Sequence, residues 1–221
     1  ELWFKVVLHE LDYCVRLLGE GEAAKAQHTL KRVLTILKVM VSQLDILETM
    51  TPTEFLTFRE RLDSASGFQS DQFRALEFAL GKKSRAGVER FPEGSRAREG
   101  LEERWGRPTL LDALLHYLAG AGLAVPEDQL ERDVTGAIEP SAGMQKVLVD
   151  IYRNDPQHAE LCERLVDLDE GIQEWRYRHV KMVERTIGMK TGTGGSAGAA
   201  YLRTTLNAPL FPDLWEIRVQ L

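Results

Sequence analysis

Apolar residues recur along this chain at steps of three and four positions, and the strict alternation typical of strands is missing. The longest series follows Asp155 and Pro156, a pair typical of a helix start because the carboxylate caps and proline fits the first helical position. Its members form one seam of a helix: Leu161, Leu165, Leu168, Ile172, Trp175, His179, Met182 and Thr186. The pattern therefore predicts a long helix that ends near Gly188.

The same spacing predicts helices along the rest of the chain. Residues 1 to about 18 form a first helix and residues 23–47 a second, which carries a heptad seam. Thr51, Pro52 and Glu54 start a third with a capping box. Further helices are expected at 68–80, 109–118, 141–152 and 196–206. Because every long pattern is helical, the fold class is predicted to be all-α, with residues 1–221 as a single domain.

Residues 82–107 differ from this pattern. Charged residues, glycine and proline dominate there, and apolar residues are sparse. Such a composition is typical of an irregular surface segment. We expect 82–107 to be a charged surface excursion, and we assign it no chemistry.

Composition narrows the classes of function. The chain has 221 residues and a net charge of −6, which argues against non-specific nucleic-acid binding. No apolar run approaches the roughly 18 residues of a membrane span. Cys14 and Cys162 are far apart and form no metal motif, so both are expected to be small buried hydrophobes in a reducing cytosol. The expected location is therefore cytoplasmic, without a nucleic-acid or membrane partner.

His179 occupies a seam position where the pattern calls for an apolar group. A buried imidazole costs free energy unless its nitrogens find partners. Such a histidine is usually bonded to a backbone carbonyl in the core; a metal or a carboxylate is another way to satisfy it. The glycine-rich loop that follows, 188–195, favours the second interpretation because glycine lets backbone approach a ligand closely.

That loop also resembles two nucleotide-binding motifs, and both fail. A phosphate loop needs Gly-Lys-Ser/Thr, but Met189 separates Gly188 from Lys190. Gly192 and Gly194 imitate the dinucleotide fingerprint, but a helix precedes them where that motif requires a strand. Neither motif predicts a nucleotide site here.

Phe55 and Arg59 lie four residues apart on one face of the third helix. A guanidinium can bind an amino acid's carboxylate through two parallel hydrogen bonds, and an aromatic ring can pack against an indole. An ordinary surface arginine fits the pattern equally well. The pattern alone leaves both interpretations open.

The stretch Trp175-Arg176-Tyr177-Arg178-His179-Val180, with Gly188 and the run Gly-Thr-Gly-Gly-Ser at 192–196, resembles the signature of the tryptophan 2,3-dioxygenase family. Three further blocks occur in the family's order: Glu-Leu-Trp-Phe-Lys at 1–5, Leu-Glu-Thr-Met-Thr-Pro at 47–52 and Ser-Gly-Phe-Gln-Ser at 66–70. The resemblance thus runs from residue 1 to about 206.

This resemblance implies an oxidoreductase of tryptophan catabolism. Such an enzyme holds one haem b per subunit, assembles as a homotetramer and inserts both atoms of O2 across the indole C2–C3 bond of L-tryptophan. The product is N-formylkynurenine, in the first step of the kynurenine pathway. The resemblance also implies roles for six residues: His179 as the axial ligand of the haem iron, Ser66 and Gly67 near the haem on the oxygen side, and Phe55, Arg59 and Thr193 in substrate binding.

In the family, a distal histidine and aromatic residues precede the Glu-Leu-Trp block. The chain begins at Glu1, so we expect an upstream segment to be missing and assign no catalytic residue. Two other classes of protein stay open. An indoleamine-type dioxygenase with looser substrate choice is disfavoured by Arg59 and Thr193. A non-catalytic helical assembly module would need only the heptad seams.

Overall fold

The computed structural model describes residues 1–62, 70–190, 198–206 and 208–221. These residues form helices and contain no β-strand, which confirms the all-α prediction. The α-helices are α1 (Leu2–Gly19), α2 (Ala23–Leu47), α3 (Pro52–Arg59), α4 (Asp71–Ala79), α5 (Arg85–Glu89), α6 (Arg96–Trp105), α7 (Leu110–Gly120), α8 (Glu127–Leu130), α9 (Ala142–Asn154), α10 (Pro156–Ile187), α11 (Ala199–Arg203) and α12 (Pro212–Glu216), and 3-10 turns cover Glu60–Leu62 and Ile217–Gln220.

The seam of α2 is buried as its spacing predicts. Leu30, Val33, Leu37, Met40 and Leu44 are almost inaccessible to solvent. A heptad-spaced apolar row lies on one side of a helix, so burying that side removes all of these side chains from water together. The row ends at Leu47, which is half exposed at the end of α2.

The chain divides into two compact units, and two of the four division points fall within α2 and α10. The first unit comprises Glu1–Leu34, Asp71–Asp169 and Pro209–Leu221. There α1 packs against α4 and α7. The Arg104 guanidinium donates two hydrogen bonds to the Asp12 carboxylate of α1, with N–O distances of 2.8 and 2.7 Å.

The C-terminal residues of the first unit are attached to α10 through Asp169. This carboxylate is fully buried. Its Oδ2 accepts hydrogen bonds from the backbone N–H of Leu210 at 2.8 Å and of Phe211 at 3.2 Å, and from the Trp215 indole N–H at 2.9 Å. A buried carboxylate needs such donors, because without them its desolvation would be costly.

The second unit comprises Thr35–Ser70 and Glu170–Ala208. It holds the C-terminal halves of α2 and α10 together with α3 and α11. Gly171 of α10 faces Leu37 of α2, where an added Cβ would lie 3.1 Å from the leucine Cδ1. That distance is tighter than ordinary van der Waals contact, so glycine allows α10 to approach α2 closely here.

The structure corrects the expectation for 82–107. This segment forms α5 and α6, and its Val88, Phe91 and Leu101 are buried with Phe78 in one cluster. Val88 lies on α5, Leu101 on α6 and Phe91 between the two helices, while most charged residues stay at the surface. The Lys83 ammonium also lies inside and donates to the backbone carbonyls of Trp105 and Val134.

No helix in the described part of the chain is long and apolar enough to span a membrane. The prediction that residues 1–221 form a single domain stays a prediction.

Candidate functional site

The helix α10 carries His179 and begins and ends as the sequence predicts. Pro156 is its first residue, and Asp155 caps it by accepting a hydrogen bond from the His158 backbone N–H at 3.2 Å. The helix ends at Ile187, and Gly188 follows with a positive φ of 62°. Glycine adopts that backbone conformation without steric cost, which explains why the helix ends there.

His179 is partly buried, and its imidazole stacks on the ring of Trp175, one helical turn earlier. The ring centroids are 5.1 Å apart and the ring planes differ by 6°. Residues four apart on a helix lie on the same face, so the stack follows from the spacing in the sequence. A parallel aromatic neighbour restricts the rotation of the imidazole and thereby holds the direction of its nitrogens.

Burial lowers the pKa of His179 below its usual value. The physical cause is desolvation, which penalises the charged imidazolium more than the neutral ring. A neutral imidazole keeps one nitrogen lone pair available, and that lone pair is what a metal ion binds. The environment of His179 therefore suits a metal ligand.

The described residues hold no group of three histidine, cysteine, aspartate or glutamate side chains placed to share a metal ion. The two cysteines offer no thiolate, because burial raises the pKa of Cys14 and of Cys162 to about 12. A single axial histidine is how a protein commonly holds haem iron. The described surroundings of His179 fit that single-histidine arrangement.

The helix α3 carries Phe55 and Arg59. Thr51 and Glu54 form its capping box: the Glu54 carboxylate accepts from the Thr51 backbone N–H at 2.7 Å, and Thr51 Oγ1 accepts from the Glu54 N–H at 3.3 Å. The hydrogen bond from the Thr51 backbone lowers the pKa of Glu54. Phe55 packs edge-to-face against Phe58, with ring centroids 5.3 Å apart.

The structure brings the described candidate residues into one unit. Phe55, Arg59 and His179 all belong to the second compact unit, although 120 positions of sequence separate Arg59 from His179. The remaining candidates, Ser66, Gly67 and Thr193, lie outside the described residues. Their roles stay predictions.

Ion pairs connect the C-terminal part of α10 with the end of α2. Arg178 donates to the carboxylates of Asp45 and Glu48, and Arg185 donates to Glu48 at 3.0 Å. The hydrogen bond to Asp45 is the main cause that raises the pKa of Arg178. Sequence reasoning missed Glu48, although two arginines seven positions apart on one helix face pointed to an acidic partner.

Known proteins are similar to this chain over nearly its whole length. The family model described as "Tryptophan 2,3-dioxygenase" matches residues 1–117 and 127–221. A tryptophan 2,3-dioxygenase of Herpetosiphon aurantiacus is 55% identical over 221 residues, covering 100% of this chain and 84% of that protein. One of Anaeromyxobacter sp. (strain K) is 57% identical over 218 residues, covering 99% and 82%. One of Pseudomonas fluorescens is 38% identical over 224 residues, covering 100% and 79%.

Proposed function

This chain belongs to the tryptophan 2,3-dioxygenase family, and from that premise we propose how its residues bind haem b and L-tryptophan. Membership makes the chain an oxidoreductase that oxidises tryptophan with dioxygen to N-formylkynurenine. The observation that carries the proposal is that the partly buried His179, whose pKa is lowered by burial, and the Phe55–Arg59 pair belong to one compact unit.

His179 is the proposed axial ligand of the haem iron. The lowered pKa leaves the imidazole neutral, and the Trp175 stack holds its ring plane. We assign one haem b to each subunit, because the family resemblance gives the ligand role to this histidine. When bound, the haem supplies the iron that activates dioxygen.

Arg59 is the proposed anchor of the substrate carboxylate. A guanidinium binds a carboxylate through two parallel N–H bonds, which fixes both position and orientation. Phe55, one turn earlier on α3, would pack against the indole ring. Thr193 would contact the ammonium or the carboxylate, as the family resemblance implies.

The oxygen side of the pocket is assigned to Ser66 and Gly67 by the same resemblance. We propose that the loop 188–195, whose residues 191–195 lie outside the described part of the chain, closes over the substrate. Closure excludes water and keeps the indole C2–C3 bond in the geometry at which both oxygen atoms add. The protein thus orients and encloses the reactants.

We also propose that the chain works as a cytoplasmic homotetramer, as its family resemblance implies. Several large apolar side chains in the described residues are exposed in the isolated chain, among them Leu2 at 81%, Ile46 at 70% and Val219 at 92%. Apolar side chains of this size are often covered in an oligomer. Analytical ultracentrifugation of the haem-loaded protein would test the number of subunits.

The direct test of the function is product formation by the chain supplied with haem and L-tryptophan. We expect one O2 consumed for each N-formylkynurenine formed. Tryptamine, which lacks the carboxylate that Arg59 would bind, should be oxidised far more slowly. Oxidation of tryptamine as fast as L-tryptophan would contradict the carboxylate anchor and favour an indoleamine-type enzyme.

A further inference from the structure

Glu48 joins two guanidinium groups of α10 to the end of α2. Its Oε2 accepts from Arg178 at 3.2 Å and from Arg185 at 3.0 Å. Its side chain is only 13% exposed, whereas those of Asp45 and Arg185 are 63% and 64% exposed. Charge-assisted hydrogen bonds to a carboxylate shielded from water are stronger than exposed ion pairs. Glu48 is therefore the central member of this group.

Glu48 lies where α2 ends and the short link to α3 begins. Glu48 is the first residue after α2, and its backbone N–H still bonds to the Leu44 carbonyl at 2.9 Å. Only Thr49, Met50 and Thr51 lie between it and the start of α3 at Pro52. A link this short transmits the position of one end to the other.

The helix α3 lies at the surface. None of its eight residues is buried, and all eight are described. Its capping box ties Thr51 to Glu54 and makes the link continuous with the first turn of the helix. How firmly the link is held therefore contributes to the direction in which α3 leaves α2.

We propose that Glu48 is a positioning residue for substrate binding: with Arg178 and Arg185 it fixes the α2–α3 link to the helix that carries His179, and so sets where α3 presents Arg59. We call Glu48, Arg178 and Arg185 the Glu48 bridge. Arg178 directly precedes His179, so the bridge connects the helical turn that carries His179, the proposed iron ligand, to the segment that leads to Arg59, the proposed carboxylate anchor. This inference rests on the proposed function.

The test compares Glu48→Gln with Asp45→Asn as a matched control. Both changes remove one negative charge near Arg178, but only the first acts on the link. Amide hydrogen exchange of the haem-free chains should become about tenfold faster over residues 49–58 in Glu48→Gln, because charge-assisted bonds to a shielded carboxylate are lost. Exchange over residues 156–169 should not change, and Asp45→Asn should exchange like the wild type.

In the haem-loaded enzyme the same variant should separate binding from chemistry. The KM for L-tryptophan should rise about fivefold to tenfold in Glu48→Gln while kcat stays within about twofold, because the reacting groups themselves are intact. Arg185→Gln removes one exposed donor from the bridge with little risk to folding. It should give the same pattern at a smaller size.

Unchanged exchange over residues 49–58 in both Glu48→Gln and Arg185→Gln would overturn the proposal. An equal increase over 156–169 would also overturn it, because Glu48 would then serve overall stability alone. If the wild type does not oxidise tryptophan, the proposed function fails, but the exchange comparison still decides whether Glu48 holds the link.

Discussion

Replacing Asp169 with asparagine should loosen the C-terminal residues from α10. The Asp169 carboxylate is fully buried, and one oxygen, Oδ2, accepts all three N–H groups from Leu210, Phe211 and Trp215. Asparagine has nearly the same shape and can place its carbonyl oxygen where Oδ2 lies. The substitution therefore removes charge while it preserves packing.

The cost follows from the three hydrogen bonds. A bond to a charged acceptor contributes about 1 kcal/mol more than a bond between neutral groups. Three such bonds give a loss of about 3 kcal/mol in the free energy of unfolding. The change Trp215→Phe removes only the indole donor and should cost about 1 kcal/mol, and the double variant should lose less than the sum because the two residues share one bond.

Urea denaturation followed by circular dichroism measures these losses. The exposed substitution Glu93→Gln is the control, because surface changes away from special contacts usually stay within about 0.5 kcal/mol. Hydrogen exchange should also rise over residues 209–221 in Asp169→Asn. A loss below about 1 kcal/mol, with exchange unchanged there, would refute the reasoning that this carboxylate anchors the C-terminal residues.

Three further changes test the site and its helix. Arg59→Lys should raise the KM for L-tryptophan about tenfold, because a point charge replaces a two-bond fork, and an unchanged KM would remove Arg59 from the anchor role. Trp175→Leu should weaken haem retention about threefold to tenfold and Trp175→Phe much less, measured by haem transfer to an acceptor protein; equal effects would refute a role for the ring stack. Asp155→Ala should cost about 1 kcal/mol at pH 7 and less near pH 3. Hydrogen bonds from the His158 ring and backbone lower the pKa of Asp155. The stabilisation is therefore present above the usual pKa of an aspartate and is lost as the pH falls through the lowered pKa. Denaturation at both pH values tests this expectation.

Much of the local structure could be predicted because it depends on neighbours in the sequence. The limits of α10 follow from Asp155, Pro156 and Gly188, whose preferences act within one turn. The Trp175–His179 stack follows from a spacing of four on one helix. The family resemblance added the proposed roles of Phe55 and Arg59, which spacing alone left open.

Contacts between distant segments could not be predicted in this way. Nothing in the pattern around Asp169 indicates that it binds residues some forty positions later, and Glu48 looks like any acidic residue after a helix. The segment 82–107 was misjudged for the same reason. Its few apolar residues become a core only when Phe78 from α4 joins them.

The most direct test of the account is the absorption spectrum of the haem-supplied chain, with wild type beside His179→Ala. His116→Ala, at an exposed position, is the matched control. The account predicts a ferrous five-coordinate histidine spectrum in wild type and control, its loss in His179→Ala, and its recovery when imidazole is added to that variant. Equal haem binding and an unchanged spectrum in His179→Ala would contradict the central claim that this histidine holds the iron.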